Sequence, residues 1–131
     1  MNILVVDDKQ AVQDKLTELL TAQGYKVDRA NNGLDALAKI QQGRYQLFVI
    51  DHLMPLMNGV QLTKNIKSNP KLADVPIIFM TTQGINSLKN LSEFTLFNKV
   101  IDKPIDEITF FNAFIELSGY KVDYPSLHAN A

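Results

Sequence analysis

Leu47-Phe48-Val49-Ile50-Asp51 decides the fold: four consecutive apolar residues stopped by an acid. A half-exposed strand alternates apolar and polar side chains, whereas a parallel strand covered on both faces is continuously apolar. Two other segments share this pattern. Ile3-Leu4-Val5-Val6 is stopped by Asp7-Asp8, and Ile77-Ile78-Phe79-Met80 by Thr81-Thr82. Tyr25–Ala30 instead alternates Tyr25 and Val27 with Lys26 and Asp28, and Val100-Ile101 sits between Lys99 and Asp102. These mixed segments suit edge strands. Helix-period stretches separate the strands. Val12, Leu16, Leu19 and Leu20 precede Gly24; Leu34, Leu37, Ala38 and Gln41 precede Gly43; Leu62 and Ile66 precede Pro70. Ile85, Leu88 and Leu91 predict a modest fourth helix, and the last runs from about Ile105 to Ser118, closed by Gly119. Five βα units imply a doubly wound α/β fold, a five-stranded parallel sheet with helices on both faces. With the apolar strands central and the mixed ones at the edges, the common order is 2-1-3-4-5.

Composition bounds the function. The 131 residues suit one domain, and net charge −1 gives no bulk attraction to nucleic acid or an anionic membrane. With no cysteine, a disulfide framework, a thiolate zinc site and a thiol nucleophile are excluded. The longest apolar stretch, Val75–Met80, is six residues, far below the roughly 20 of a membrane span. The first residues lack the basic region of a signal peptide, so a cytoplasmic location is expected.

The 2-1-3-4-5 order is flavodoxin-like, and such sheets bind ligands beyond the carboxyl ends of the strands, at the switch between the first and third. Asp7, Asp8 and Asp51 meet there. Crowded carboxylates raise one another's pKa unless a cation joins them, and an oxygen-only set suits a hard ion, Mg²⁺ first. Thr81 and Lys103 reach the same rim and add a hydroxyl and a compact cation, a set suited to a phosphoryl group. Asp51 is then a candidate nucleophile. Singly, each residue has a plainer reading: Asp8 as a helix cap, Asp51 and the threonines as turn residues, Lys103 as a solvated lysine. Acids or donors ending four of five strands on one rim are poorly explained by chance. His52 is expected to point away from Asp51, because successive strand residues point apart, and to be a surface or loop residue.

These positions carry a resemblance. Asp7-Asp8, the segment Asp51-His52-Leu53-Met54-Pro55-Leu56-Met57-Asn58-Gly59, Thr81 and Lys103-Pro104 resemble the receiver domain of two-component response regulators, the CheY-like family, over residues 1–118. The spacings of 43, 30 and 22 residues from Asp8 to Asp51, Thr81 and Lys103 in turn also fit. The resemblance implies that Asp51 is the phosphoacceptor, that Asp8 ligates Mg²⁺ (or Mn²⁺) directly and Asp7 through water, and that the Leu53 main-chain carbonyl joins them. It implies that Thr81 bonds the phosphoryl group, that Lys103 is its counter-charge, and that the Lys103–Pro104 bond is cis. The donor is a phosphohistidine of a sensor histidine kinase or a histidine phosphotransfer domain. The protein is not an enzyme beyond its own aspartyl phosphorylation and dephosphorylation.

The sequence also departs from the family. Val100 stands where an aromatic usually swings inward, and Thr82 where alanine or glycine is usual. The region Gln83–Phe97 lacks the usual Gly-Ala pair, and its Asn and Ser content predicts a weak or frayed helix. Leu53 and Gln83 occupy the positions that in the family flank the hydrolytic water. Leu53 offers no hydrogen bond, whereas Gln83 has an amide able to orient a water, and the adduct is expected to last minutes or longer. The last helix carries two apolar stripes, Phe110/Phe114/Leu117 and Ile108/Phe111/Ile115. Either the second is an exposed partner or homodimer surface, or the buried face is broad and extended by Tyr120, Val122 and Tyr124 folding back. Residues 119–131 are expected to be a tail without an output domain, so that signalling proceeds through a downstream protein target. Three rivals stand beside this reading. One is an interaction module that works without phosphorylation. A Mg²⁺-dependent phosphohydrolase would want D-x-D after the first strand, and an FMN binder a phosphate-cradling first loop.

Overall fold

A computed structural model describes residues 1–119. The strands are β1 (Asn2–Val6), β2 (Lys26–Ala30), β3 (Leu47–Asp51), β4 (Ile77–Thr81) and β5 (Lys99–Asp102). All pair in parallel in the order β2-β1-β3-β4-β5, as the apolar pattern predicts. Helices α1 (Gln10–Thr21), α2 (Gly33–Gln42), α3 (Gly59–Ser68), α4 (Ile85–Leu88) and α5 (Glu107–Ser118) connect and follow them. The side chains alternate between two cores. Ile3, Val5, Leu47, Val49, Ile78, Met80 and Ile101 pack with α1 and α5 residues. Leu4, Val6, Phe48, Ile50, Ile77 and Phe79 pack with α2 and α3 residues. Among the described residues no helix is long and apolar enough to cross a membrane.

Three helices differ in detail from the periodicity. In α2 the buried residues are Gly33 and Ala36, and Leu34 is half exposed. The expected Leu34/Leu37/Ala38 stripe is therefore displaced toward Leu37 and Ile40, because Asn32 caps the helix and turns Gly33 inward. Gly33 lies so close to Met57 that a Cβ there would come 2.8 Å from the Met57 carbonyl oxygen. The fourth segment is one turn of α-helix followed by a 3-10 turn, Ser92–Leu96. Its weakness fits its Asn and Ser content.

In α5 the structure decides between the two alternatives, against an exposed Phe111 and for the broad buried face. Phe111 is buried with Phe110 and Phe114, and Ile115 packs against the same core, while Ile108 alone of that stripe is exposed. The proposed partner surface Ile108/Phe111/Ile115 therefore loses its central member. The helix has a broad buried face because Phe111 makes edge contacts with Phe110 and with Phe114, while Phe110 stacks on Phe114. The fold-back through Tyr120, Val122 and Tyr124 lies outside the described residues.

Candidate functional site

β1, β3 and β5 deliver Asp7, Asp51 and Lys103 to one point above the sheet. Lys103 Nζ donates to Asp7 Oδ2 at 2.8 Å and to Asp51 Oδ1 at 3.2 Å. Asp7 is fully buried, Asp51 is 4% exposed, and Asp8 beside them is exposed. Each of the three carboxylates offers an oxygen within 4.8 Å of the others. Asp8 does not cap α1: the cap position is Lys9, which makes no side-chain cap bond. Asp8 is left with a 3.9 Å pair to the solvated Lys9. Three carboxylates against one ammonium leave a negative excess, and the donor set is oxygen alone. That fits a hard divalent cation.

Burial pushes the Asp51 carboxyl up to about 6, and Asp7 and Asp8 push the same way against the downward pull of Lys103. For Lys103, burial works downward, but its bonds to Asp7 and Asp51 outweigh it and the net shift is upward. The Asp51 shift has a consequence for stability. Its folded pKa lies above the unfolded value near 3.8, so the folded state binds the extra proton between them. Stability tied to this proton is complete below about pH 4 and lost as pH rises through about 6. Asp51→Asn is therefore expected to raise the urea midpoint above wild type at pH 7.5. The gap should close toward pH 4.

Several neighbours hold the loops. Gln13, on the buried face of α1 with Leu16 and Leu20, donates to the Asp7 carbonyl at 2.6 Å and to Asn31 Oδ1 at 2.9 Å. Lys15 donates to the Ile105 carbonyl at 2.5 Å, just after the cis Lys103–Pro104 bond. Gly59 starts α3 with its N–H on the His52 carbonyl at 2.9 Å, and a Cβ there would stand 2.0 Å from the Asp51 carbonyl oxygen. Neither Gln13 nor Lys15 was singled out from sequence; the signal for Gln13 was a polar residue inside an apolar stripe.

Thr81 is fully buried, and its hydroxyl does not bond the carboxylates. It accepts the Gln83 N–H at 3.0 Å and lies 3.0 Å from His52 Nδ1. His52 does point away from Asp51, but it is not the surface residue expected. Its ring packs 5.4 Å from Phe79, and burial lowers its pKa. Thr82 and Gln83 are exposed, and Leu53 is half exposed. Val100 is half buried against the α2/α3 core, where Phe97 stacks on Phe79 at 3.9 Å.

Comparisons with known proteins agree with this fold. A family model for the response regulator receiver domain matches residues 3–115. Protein PilH of Pseudomonas aeruginosa is 32% identical over 107 residues, which cover 82% of this chain and 88% of PilH. A CpxR homolog of Haemophilus influenzae, a transcriptional regulatory protein, is 38% identical over 82 residues, 63% of this chain and 34% of that protein. The chain thus spans about a third of the length of such regulators. Among solved structures, TrrA of Thermotoga maritima in complex with Mg²⁺-BeF superposes with a TM-score of 0.79 at 28% identity, covering 88% of this chain and 97% of TrrA.

Proposed function

Because the chain belongs to the response regulator receiver domain family, we propose that Asp51 accepts a phosphoryl group from a phosphohistidine on a sensor histidine kinase or a histidine phosphotransfer domain. The observation that carries this is Lys103 Nζ seated between Asp7 Oδ2 and Asp51 Oδ1, beside the exposed Asp8. An Asp51 carboxyl near 6 is ionised at neutral pH and can attack phosphorus. The new bond is Asp51 oxygen to phosphorus, and the bond that breaks is phosphorus to the donor imidazole nitrogen, which keeps the electron pair. Lys103 stays on Asp7 and exchanges its Asp51 bond for a phosphoryl oxygen. The Thr81 hydroxyl bonds another. Asp7, Asp8, Asp51 and the Leu53 main-chain carbonyl would hold Mg²⁺ or Mn²⁺, which neutralises charge on the transferred group. Mg²⁺-BeF in TrrA supports this assignment.

Loss of the phosphoryl group is proposed to be slow, over minutes or longer, because Leu53 has no group to orient a water and Gln83 is exposed and turned to Thr82. The output is proposed to be contact with a protein target. Val100 has no ring to swing, and Phe97 already fills the space beside Phe79, so the output does not pass through an inward aromatic at position 100. The test is incubation with acetyl phosphate with and without Mg²⁺. The expected result is one added phosphoryl mass with Mg²⁺, none with a chelator, and a higher Mg²⁺ concentration for half-maximal labelling in Asp8→Ala. Absence of any adduct with Mg²⁺ would favour a module that binds partners without phosphorylation.

A further inference from the structure

We propose that His52 is a positioning residue that latches the Thr81 hydroxyl away from the phosphoryl site until Asp51 is modified. The inference rests on the phosphoacceptor reading of Asp51 and Thr81. Strand alternation sets up the latch. Asp7, Asp51 and Lys103 share the parity of the α1/α5 face, whereas His52 and Thr81 share that of Phe48, Ile50 and Phe79 on the other. His52 continues the β3 ladder, its N–H on the Met80 carbonyl at 2.9 Å, so its ring lies beside Thr81 on the neighbouring strand. A buried hydroxyl must place its proton as well as accept. Thr81 Oγ1 accepts from the Gln83 N–H, and His52 Nδ1 at 3.0 Å is its other partner among the described residues. The hydroxyl therefore donates to Nδ1, and His52 carries its own proton on Nε2. Packing on Phe79 holds the ring in this position.

The consequence is a competition. To bond a phosphoryl oxygen, Thr81 must give up its bond to His52. One neutral hydrogen bond is worth about 1 kcal/mol net, so the latch should weaken occupancy of the phosphoryl-bound state by roughly two- to tenfold. The Gln83 amide reports the change directly, since it donates to the same oxygen.

The test is a titration of the full chain with beryllium fluoride and Mg²⁺, followed by amide NMR. His52→Phe keeps a ring against Phe79 and removes the acceptor; His52→Asn returns an acceptor near the Nδ1 position. Half-saturation should fall two- to tenfold in His52→Phe and return toward wild type in His52→Asn. The Gln83 amide of free His52→Phe should move toward its position in saturated wild type. A half-saturation in His52→Phe equal to or above that of wild type overturns the latch, as does a His52→Asn that behaves like His52→Phe. If His52→Phe does not fold, the tautomer of wild-type His52 decides: a proton on Nδ1 in the free protein overturns the latch, and a proton on Nε2 that loses its Thr81 coupling on saturation supports it. A wild type that shows no response to beryllium fluoride removes the phosphoacceptor reading, and the latch with it. A wild-type response unaltered by His52 substitutions removes the latch alone.

Discussion

Lys103→Met should slow phosphorylation of Asp51 by acetyl phosphate and Mg²⁺ by about a hundred- to a thousandfold. That is the usual cost of removing one preorganised charge or donor from a site where negative charge develops. Here the ammonium has two partners, Asp7 at 2.8 Å and Asp51 at 3.2 Å, and its side chain is nearly buried. Its loss therefore also leaves two buried carboxylates without a cation. Breaking a buried pair in this way costs about 3–5 kcal/mol, and added Mg²⁺ should recover part of it through binding to the folded state. Without Lys103, the downward pull on the Asp51 pKa is gone, so Asp51 should ionise only at higher pH than in wild type. Lys103→Arg should not rescue the rate, since a planar guanidinium is larger and spreads its charge. Phosphorylation rates against pH, with urea melts with and without Mg²⁺, check all of these. A Lys103→Met rate within threefold of wild type would remove Lys103 from the reaction.

Gly59→Ala should be the most destabilising small substitution in the site. An added Cβ would stand 2.0 Å from the Asp51 carbonyl oxygen and 2.9 Å from the carbonyl carbon, both rigid backbone at the end of β3. Neither atom can give way without moving Asp51 itself. Overpacking commonly costs about 1–3 kcal/mol and can cost more; with backbone on both sides of this clash, about 3 kcal/mol or more is expected. Gly24→Ala is the comparison. Its φ of 89° strains an alanine, but no atom lies within 4 Å of the added Cβ. The expected cost there is about 1–2 kcal/mol. Urea midpoints of the two variants should therefore differ clearly, and any surviving Gly59→Ala should phosphorylate poorly.

The architecture was legible because three continuous apolar runs, each four residues long and stopped by acids or threonines, read as strands covered on both faces. The pairing of β1 with β3, and of β3 with β4, follows from that. The acid cluster was legible for the same reason, since two of the runs, on neighbouring strands, end in its carboxylates. Less legible were features set by tertiary packing. Leu34 seemed inward from its spacing, but the Asn32 cap and the contact of Gly33 with Met57 fix a different helix face. Phe111 could be placed on either side of a uniformly apolar helix, and only packing against Phe110 and Phe114 decided it. His52 is the instructive miss. The alternation that turns it from Asp51 also turns it toward Thr81, and that second half follows only once β3 and β4 are in register.

The central claim is that Asp51 is the residue that carries the phosphoryl group. Borohydride reduction of acetyl phosphate-treated protein converts an aspartyl phosphate to homoserine, which peptide mass spectrometry locates. Homoserine at position 51 in wild type, and at no position in Asp51→Ala, is the result predicted. Homoserine at position 7 or 8 in wild type, or at none, would contradict it.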